Sequence, residues 1–340
     1  MDPEWEDDSS VMDVLDKQIV HGLVCDARIP FARLGAILGV SEQTVARRYR
    51  SLRKLGILHV SGQVNVVPLG HARWILRLES APSRAVALAE SLARVPDLNW
   101  VSLLSTGSEV MCVCRPRSLE RRDELLLRQL PRVSQLKGMV AHEVLRAFPF
   151  EEEWPRYGHL LSAEQLRELG PRPVLWEPTG PKSSVVLSRE DEIMMTVLGR
   201  DGRAPYAQLA AATGWSATRV ARRMSELLEA GVLYFDLDFA LERMGYTARA
   251  SLWLQVRPGH LDGVGKAMAT HPEVAYVAAT AGPSNLMASI ACRDASHLYR
   301  YVTERLGPLE GINNVEVTPV LRLFKQSQAL VEVDRVTVLP

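Results

Sequence analysis

No charge of either sign predominates in this 340-residue chain: 40 lysines and arginines meet 40 aspartates and glutamates. The molecule as a whole is therefore not drawn to a polyanion, and any nucleic-acid contact must come from a local basic patch. Long apolar runs are lacking too. No stretch approaches the roughly 18 residues that cross a bilayer, and residues 1–8 are acidic where a signal peptide would be basic and then apolar. Cysteine is scarce: Cys25, Cys112, Cys114 and Cys292 show no zinc spacing. Cys112-x-Cys114 puts both thiols on one face of a strand, which favours buried free cysteines over a metal site or a disulfide. Glycine-rich phosphate loops and nucleophile elbows are missing. His142-Glu143 lacks the second histidine of a zinc-protease helix, since Arg146 stands there. These absences leave an ordinary soluble chain, expected in the cytoplasm, with no metal, cofactor or membrane partner and no catalytic residues. Its length suits two to four domains of roughly 50–200 residues.

What is present is a repeat. Val45-Ala46-Arg47-Arg48 recurs letter for letter as Val220-Ala221-Arg222-Arg223, 175 residues on. Asp16, Asp26, Arg28, Pro30 and Gly70 find Asp191, Asp201, Arg203, Pro205 and Gly245 at the same offset. A period this long exceeds the roughly 20–50 residues of solenoid repeats. One multi-element unit has been duplicated and fused.

Each copy begins with a helical piece. Asp13 or Ser188 caps a first helix, a break at Asp26 or Asp201 leads to a short second helix, and Gly39 or Gly214 supplies a tight turn. Ser41 or Ser216 then caps a third helix that stops at Gly56 or Gly231. This is the helix-turn-helix pattern. Each copy continues with segments whose hydrophobic period switches between two and 3.6, in the order β-α-β-β-α-β, a ferredoxin-like unit. The expected organisation is helix-turn-helix domain 1–62, ferredoxin-like domain 65–150, proline-rich linker 151–185, helix-turn-helix domain 186–237, ferredoxin-like domain 240–325 and tail 326–340. The linker is expected to hold one or two helical turns over 162–170, and the alternating tail to form an edge strand or pair with another chain.

Around the third helix, Val45, Tyr49 and Leu52 share one sector and face a small core, while Gln43, Arg47, Arg50 and Lys54 share the opposite one. An apolar back and a cationic outward stripe make a recognition helix, since arginine matches both guanine edges and phosphates. With Ser41, Thr44 and Arg48 these residues form the first expected DNA-contacting set. The second is Ser216, Thr218, Arg219, Arg222 and Arg223. There the stripe has become Thr218, Arg222, Ser225 and Glu229, so the first head is expected to dominate affinity.

The pattern Asp16…Leu23…Asp26-x-Arg28…Phe31…Leu34…Gly39-x-Ser41…Val45-x-Arg47-Arg48…Leu52…Gly56-Ile57, repeated from Asp191 to Val232, resembles the Lrp/AsnC family of bacterial transcription regulators with its single-length architecture doubled. The resemblance spans roughly 270 residues and implies an α+β fold: winged helix-turn-helix domains, and αβ-sandwich domains that pair sheet to sheet. It also implies an amino-acid-like effector near the turn after the second strand, which in the family resembles Thr-Gly-x-x-Asp. The corresponding residues are Thr106, Gly107, Ser108 and Glu109 in one copy and Gly282, Ser284 and Asn285 in the other; neither copy keeps the aspartate. The expected function is sequence-specific binding of an imperfect palindromic operator in double-stranded DNA by a fused pseudo-dimer, with further homo-oligomerisation. Two alternatives stand beside it: an enzyme resembling the sirohaem decarboxylases, which share this architecture, and an effector sensor inert to DNA.

Overall fold

The computed structural model describes residues 12–104, 107–149, 160–170, 185–332 and 335–338. In the first copy α1 (Val14–Cys25), α2 (Phe31–Leu38) and α3 (Glu42–Lys54) are followed by β1 (Leu58–Val64). Then come β2 (Trp74–Ser80), α4 (Pro82–Ala93), β3 (Leu98–Leu104), β4 (Glu109–Cys114), α5 (Leu119–Asp123, prolonged by a π-helical turn to Gln129) and β5 (Leu136–Ala147). A short α6 (Ala163–Leu169) precedes the second copy: α7 (Arg189–Arg200), α8 (Tyr206–Thr213), α9 (Ala217–Glu229) and β6 (Leu233–Phe239). That copy continues with β7 (Ala248–Val256), α10 (Leu261–Ala269), β8 (Val274–Thr280), β9 (Leu286–Cys292), α11 (Ala295–Arg300) and β10 (Ile312–Lys325), before the hairpin β11 (Ala329–Glu332) and β12 (Arg335–Val338).

The caps fall where local chemistry puts them. The Asp13, Ser41, Ser188 and Ser216 side chains each accept the N–H three residues on, satisfying a helix-end donor that would otherwise go unmet. Gly39 and Gly214 end α2 and α8 with φ of 69° and 73°. Among the described residues a Cβ would meet nothing within 4 Å at either position, so the backbone conformation is what demands glycine. Gly39→Ala and Gly214→Ala should therefore each lower stability by about 1 kcal/mol, equally in the two copies, as read from denaturant midpoints. Unequal losses would mean the turns are not equivalent.

The two helical bundles have separate cores, around Ile19, Leu23, Leu34, Val45 and Leu52 in one and Met194, Leu198, Leu209, Val220 and Leu227 in the other. Reciprocal arginines clasp them together. Arg28 donates to the carbonyls of Gly202 (2.6 Å) and Ala204 (3.0 Å), and Arg203 to those of Ala27 (2.6 Å) and Ile29 (2.8 Å). β1 and β6 then pair antiparallel with Ser61 opposite Asp236, its own equivalent at the 175 offset, so the pseudo-twofold axis passes through this ribbon. The expected wing is thus a joint structure, to which each copy lends one strand.

Each β-α-β-β-α-β unit has the ferredoxin-like order, β3-β4-β2-β5 and β8-β9-β7-β10. The fourth strands are long and bend. β5 pairs with β2 through Glu143 and then, from Val144, with β8; β10 pairs with β7 through Pro319 and then, from Val320, with β3. These two crossings close eight strands into one barrel. The outer faces bury leucines and other apolar side chains against each unit's own helices, at about 1.5–3 kcal/mol for each large side chain fully buried. The mixed faces meet inside, so the expected sheet-to-sheet pairing includes hydrogen-bonded edges. Both Cys112 and Cys114 are buried free thiols.

The segment between the copies is not wholly a spacer. Ser162 caps α6, and Gln165 and Arg33 tie it to α2 through the carbonyls of Ile37 (2.9 Å) and Glu168 (2.6 Å). The tail adds an edge hairpin to β10, anchored where Asp238 accepts the Ser327 N–H at 2.9 Å. Burial, aided by neighbouring Asp236, pushes the Asp238 carboxyl up to about 7.

Candidate nucleic-acid interface and barrel interior

Capping by Ser41 and the buried face Val45, Tyr49 and Leu52 fix the rotation of α3. Gln43, Arg47, Arg50 and Lys54 then point to solvent, as the sequence predicts. Arg50 folds back, its Nε donating to the Ala46 carbonyl at 3.1 Å. Arg48 is engaged elsewhere: it pairs with Asp13 and, at 3.1 Å, with Asp16, tying α3 to α1. Ser41 and Thr44 share a 2.9 Å hydrogen bond within the cap.

In α9 the buried face is Val220, Met224 and Leu227, and Thr218, Arg219, Arg222 and Ser225 are exposed. Ser216 is occupied as the cap, and the Arg219 guanidinium lies 4.5 Å from the Trp215 ring centre. Arg223 repeats the role of Arg48 in a more buried form, with two 2.9 Å bonds to Asp191, itself 1% exposed. Burial works against ionisation of Asp191, but Arg223 and the Ser188 backbone outweigh it and hold the carboxyl below the ordinary aspartate value of 3.8. Glu226, whose counterpart in the first copy is Ser51, sits 3.6 Å from Arg222 and 3.0 Å from Arg223. Glu229 accepts from Ser225 at 2.8 Å. The exposed side of α9 therefore carries two carboxylates, Glu226 and Glu229, where that of α3 carries Ser51 and Lys54.

The turn residues expected to hold an effector are largely committed within the protein. Thr106 lies outside the described residues. Gly107 turns with φ 63°, and the Ser108 carbonyl accepts the Ser80 N–H at 2.7 Å. Glu109 forms a bidentate pair with Arg77, which also binds Glu316 at 2.7 Å. The Arg77 guanidinium lies 4.8 Å from the Trp253 ring centre, and His142 packs on the same ring at 4.7 Å. His142 Nδ1 is 2.9 Å from the Ala281 carbonyl oxygen. Gly282 has φ 110°, and a Cβ there would come within 2.8 Å of His142 Nδ1. Thus Glu109 and Gly282, from opposite copies, meet one interior network through Arg77, Trp253 and His142. Burial first, opposed by the Ala281 carbonyl, and then the Arg77 charge keep the His142 imidazole below its usual pKa. The Ser284 carbonyl accepts from Thr280 at 2.9 Å, and Asn285 bonds both backbone groups of Val256, so these two close the second turn.

Arg28, Arg203 and Glu226 are what sequence reasoning missed. The arginines recur at offset 175 in a loop, where a repeated cation marks a shared contact; Glu226 lies four residues beyond Arg222, within reach along a helix.

Residues 12–53 and 191–228 match the AsnC-type helix-turn-helix domain, and residues 249–330 match the Lrp/AsnC ligand binding domain. The HTH-type transcriptional regulator FL11 of Pyrococcus furiosus is 24% identical over 146 residues, 43% of this chain and 96% of that protein. The HTH-type transcriptional regulator LrpA of Pyrococcus horikoshii is 24% identical over 141 residues, 41% of this chain and all of that one. One full-length relative thus accounts for less than half of this chain. The whole fold, 94% of each chain, superposes on the siroheme decarboxylase NirDL with a TM-score of 0.60 at 14% identity, a likeness of fold alone.

Fold and surface together define a doubled helix-turn-helix protein with a ligand-binding-type barrel. The chain carries two AsnC-type helix-turn-helix domains and an Lrp/AsnC ligand binding domain, and its relatives are helix-turn-helix transcription regulators.

Proposed function

We propose that this protein is a DNA-binding transcription regulator in which one chain does the work of a family dimer. The observation that carries the reading is the exposed stripe Gln43, Arg47, Arg50 and Lys54 on a helix whose opposite face is locked into the bundle. The Arg28–Arg203 clasp holds the second head in a set relation to the first, so the chain addresses two half-sites. Pairing of Arg222 with Glu226 makes those half-sites unequal, and the operator an imperfect palindrome. Affinity comes from local phosphate contacts, each of which should add about 0.9 to the slope of log affinity against log salt. The barrel is the effector-responsive part, and further association of chains lies outside this core. Among the described residues no helix is long and apolar enough to cross a membrane.

The NirDL likeness favours a second reading, an enzyme acting on a tetrapyrrole. Against it, the cavity found at the barrel is about 200 Å³, below the roughly 300–1,000 Å³ of pockets for drug-sized ligands. A gel shift on DNA from upstream of the protein's own gene, run beside a visible spectrum of the protein mixed with sirohaem, separates the two. The regulator reading expects a salt-sensitive shift and an unchanged spectrum; a perturbed sirohaem spectrum without a shift would overturn it.

A further inference from the structure

A cavity of about 200 Å³ lies between one end of the barrel interior and the β1–β6 ribbon. Ser102 of β3, Arg249 of β7, and Arg73 and Arg115, which flank β2 and β4, contribute to its wall, while Asp236 and Phe239 of the ribbon and Val24 of α1 close it from the helix-turn-helix side. Met111 and Met287 are part of an otherwise mostly apolar lining. It is distinct from both turns described above.

Its charges do not balance. Arg249 is matched by Glu242 at 2.6 Å. Asp236, the carboxylate in the wall, is already used by the Ser327 hydroxyl at 2.6 Å and the Leu237 N–H at 3.0 Å. Arg115 donates one N–H to the Tyr234 hydroxyl at 2.6 Å, but among the described residues its Nε has no partner, and neither has the Ser102 hydroxyl. These two side chains are 7% and 2% exposed. Burial disfavours the charge on Arg73; the Tyr276 phenol offsets part of that, and the like charge of Arg115 adds to it. A buried donor left unmet costs free energy that an acceptor on a ligand would recover.

We propose that this cavity binds a small organic acid, its carboxylate accepting from Arg115 and Ser102 and its apolar body lying between Met111 and Met287. The volume suits a body near the size of a benzene ring, for which a cavity of about 150 Å³ is enough. A bare inorganic anion would leave the apolar wall unmet, and an α-amino group would have to share the Asp236 carboxylate with the Leu237 N–H and the Ser327 hydroxyl. The wall is shared by the barrel and the DNA-binding layer, so occupancy changes operator affinity. That consequence rests on the regulator reading; the site itself does not.

Trp100 in the wall and Trp253 near it make tryptophan fluorescence a direct readout. The full chain is titrated with benzoate, phenylacetate and isovalerate, and with the amide of each. At least one acid should give a saturable change that its amide does not. Arg115→Met should raise that dissociation constant roughly tenfold or more, and Ser102→Ala several-fold, with circular dichroism melts showing which variants fold. If Arg115→Met does not fold, Ser102→Ala carries the test. Operator affinity is then measured with and without the acid. Failure of every acid to saturate, equal binding of acid and amide, or wild-type affinity in a folded variant overturns the proposal. Acid binding in a protein that binds no DNA would leave the site standing and remove the regulator reading.

Discussion

Arg47→Ala should weaken operator binding roughly ten- to hundredfold, while Arg222→Ala should cost about threefold or less; a good bidentate arginine contact contributes about 1–3 kcal/mol. The difference follows from what surrounds each side chain. Arg47 is exposed on a stripe with Gln43, Arg50 and Lys54. Arg222 is 3.6 Å from Glu226 and shares its face with Glu229, so phosphate binding there must compete with carboxylates already in place. Glu226→Ser, which restores the first copy's residue, should strengthen binding and steepen its salt dependence. Quantitative gel shifts at several salt concentrations read all three variants. Equal losses for Arg47→Ala and Arg222→Ala would remove the asymmetry.

The largest stability effect is expected at Asp191. This carboxylate is 1% exposed and held by two bonds from Arg223 and one from the Ser188 N–H. Removing one member of a buried pair typically costs 3–5 kcal/mol. Arg223 retains some exposure and keeps Glu226 as a partner, so Asp191→Asn should fall at the lower end, about 3 kcal/mol. Asp16→Asn, its counterpart, should cost less, because Arg48 keeps Asp13. The pH dependence has a definite sign. The folded Asp191 pKa is depressed, so its stabilisation is fully present above the unfolded value of 3.8 and is lost as pH falls through the lower folded value. The gap between wild type and Asp191→Asn in urea unfolding should therefore be constant near neutrality and close in acid. A gap that persists below the folded value would show that packing, not ionisation, is the cause.

The helical layer was legible because its rules are local. Ser41 and Ser216 are caps, Gly39 and Gly214 are turns, and the face holding Val45, Tyr49 and Leu52 is buried, all as spacing alone implies. The β-α-β-β-α-β order was legible for the same reason. Closure of the barrel was not. It depends on Val144 and Val320, where two long strands leave one partner for another, and hydrogen bonds between edges leave no periodic trace. The barrel interior was hidden likewise. Arg77, Glu109 and Glu316 are distant in sequence, and of the three only Glu109 stands out there, as a turn residue expected to hold an effector, yet they converge beside Trp253. Arg73 and Arg249 do recur, one residue beyond the main offset, and such a doubled arginine at the start of an apolar strand is the trace of the cavity that sequence reading could have followed.

One measurement bears most directly on the proposal that this chain reads DNA with two unequal heads: selection of genomic fragments by the full-length protein, followed by footprinting of those recovered. Enriched fragments should share an imperfect palindrome, two half-sites about one helical turn apart, roughly 34–36 Å, should be protected, and both footprints should be lost in an Arg47→Ala, Arg50→Ala double variant. Recovery of no fragment above background, or footprints unchanged by that double variant, would contradict it.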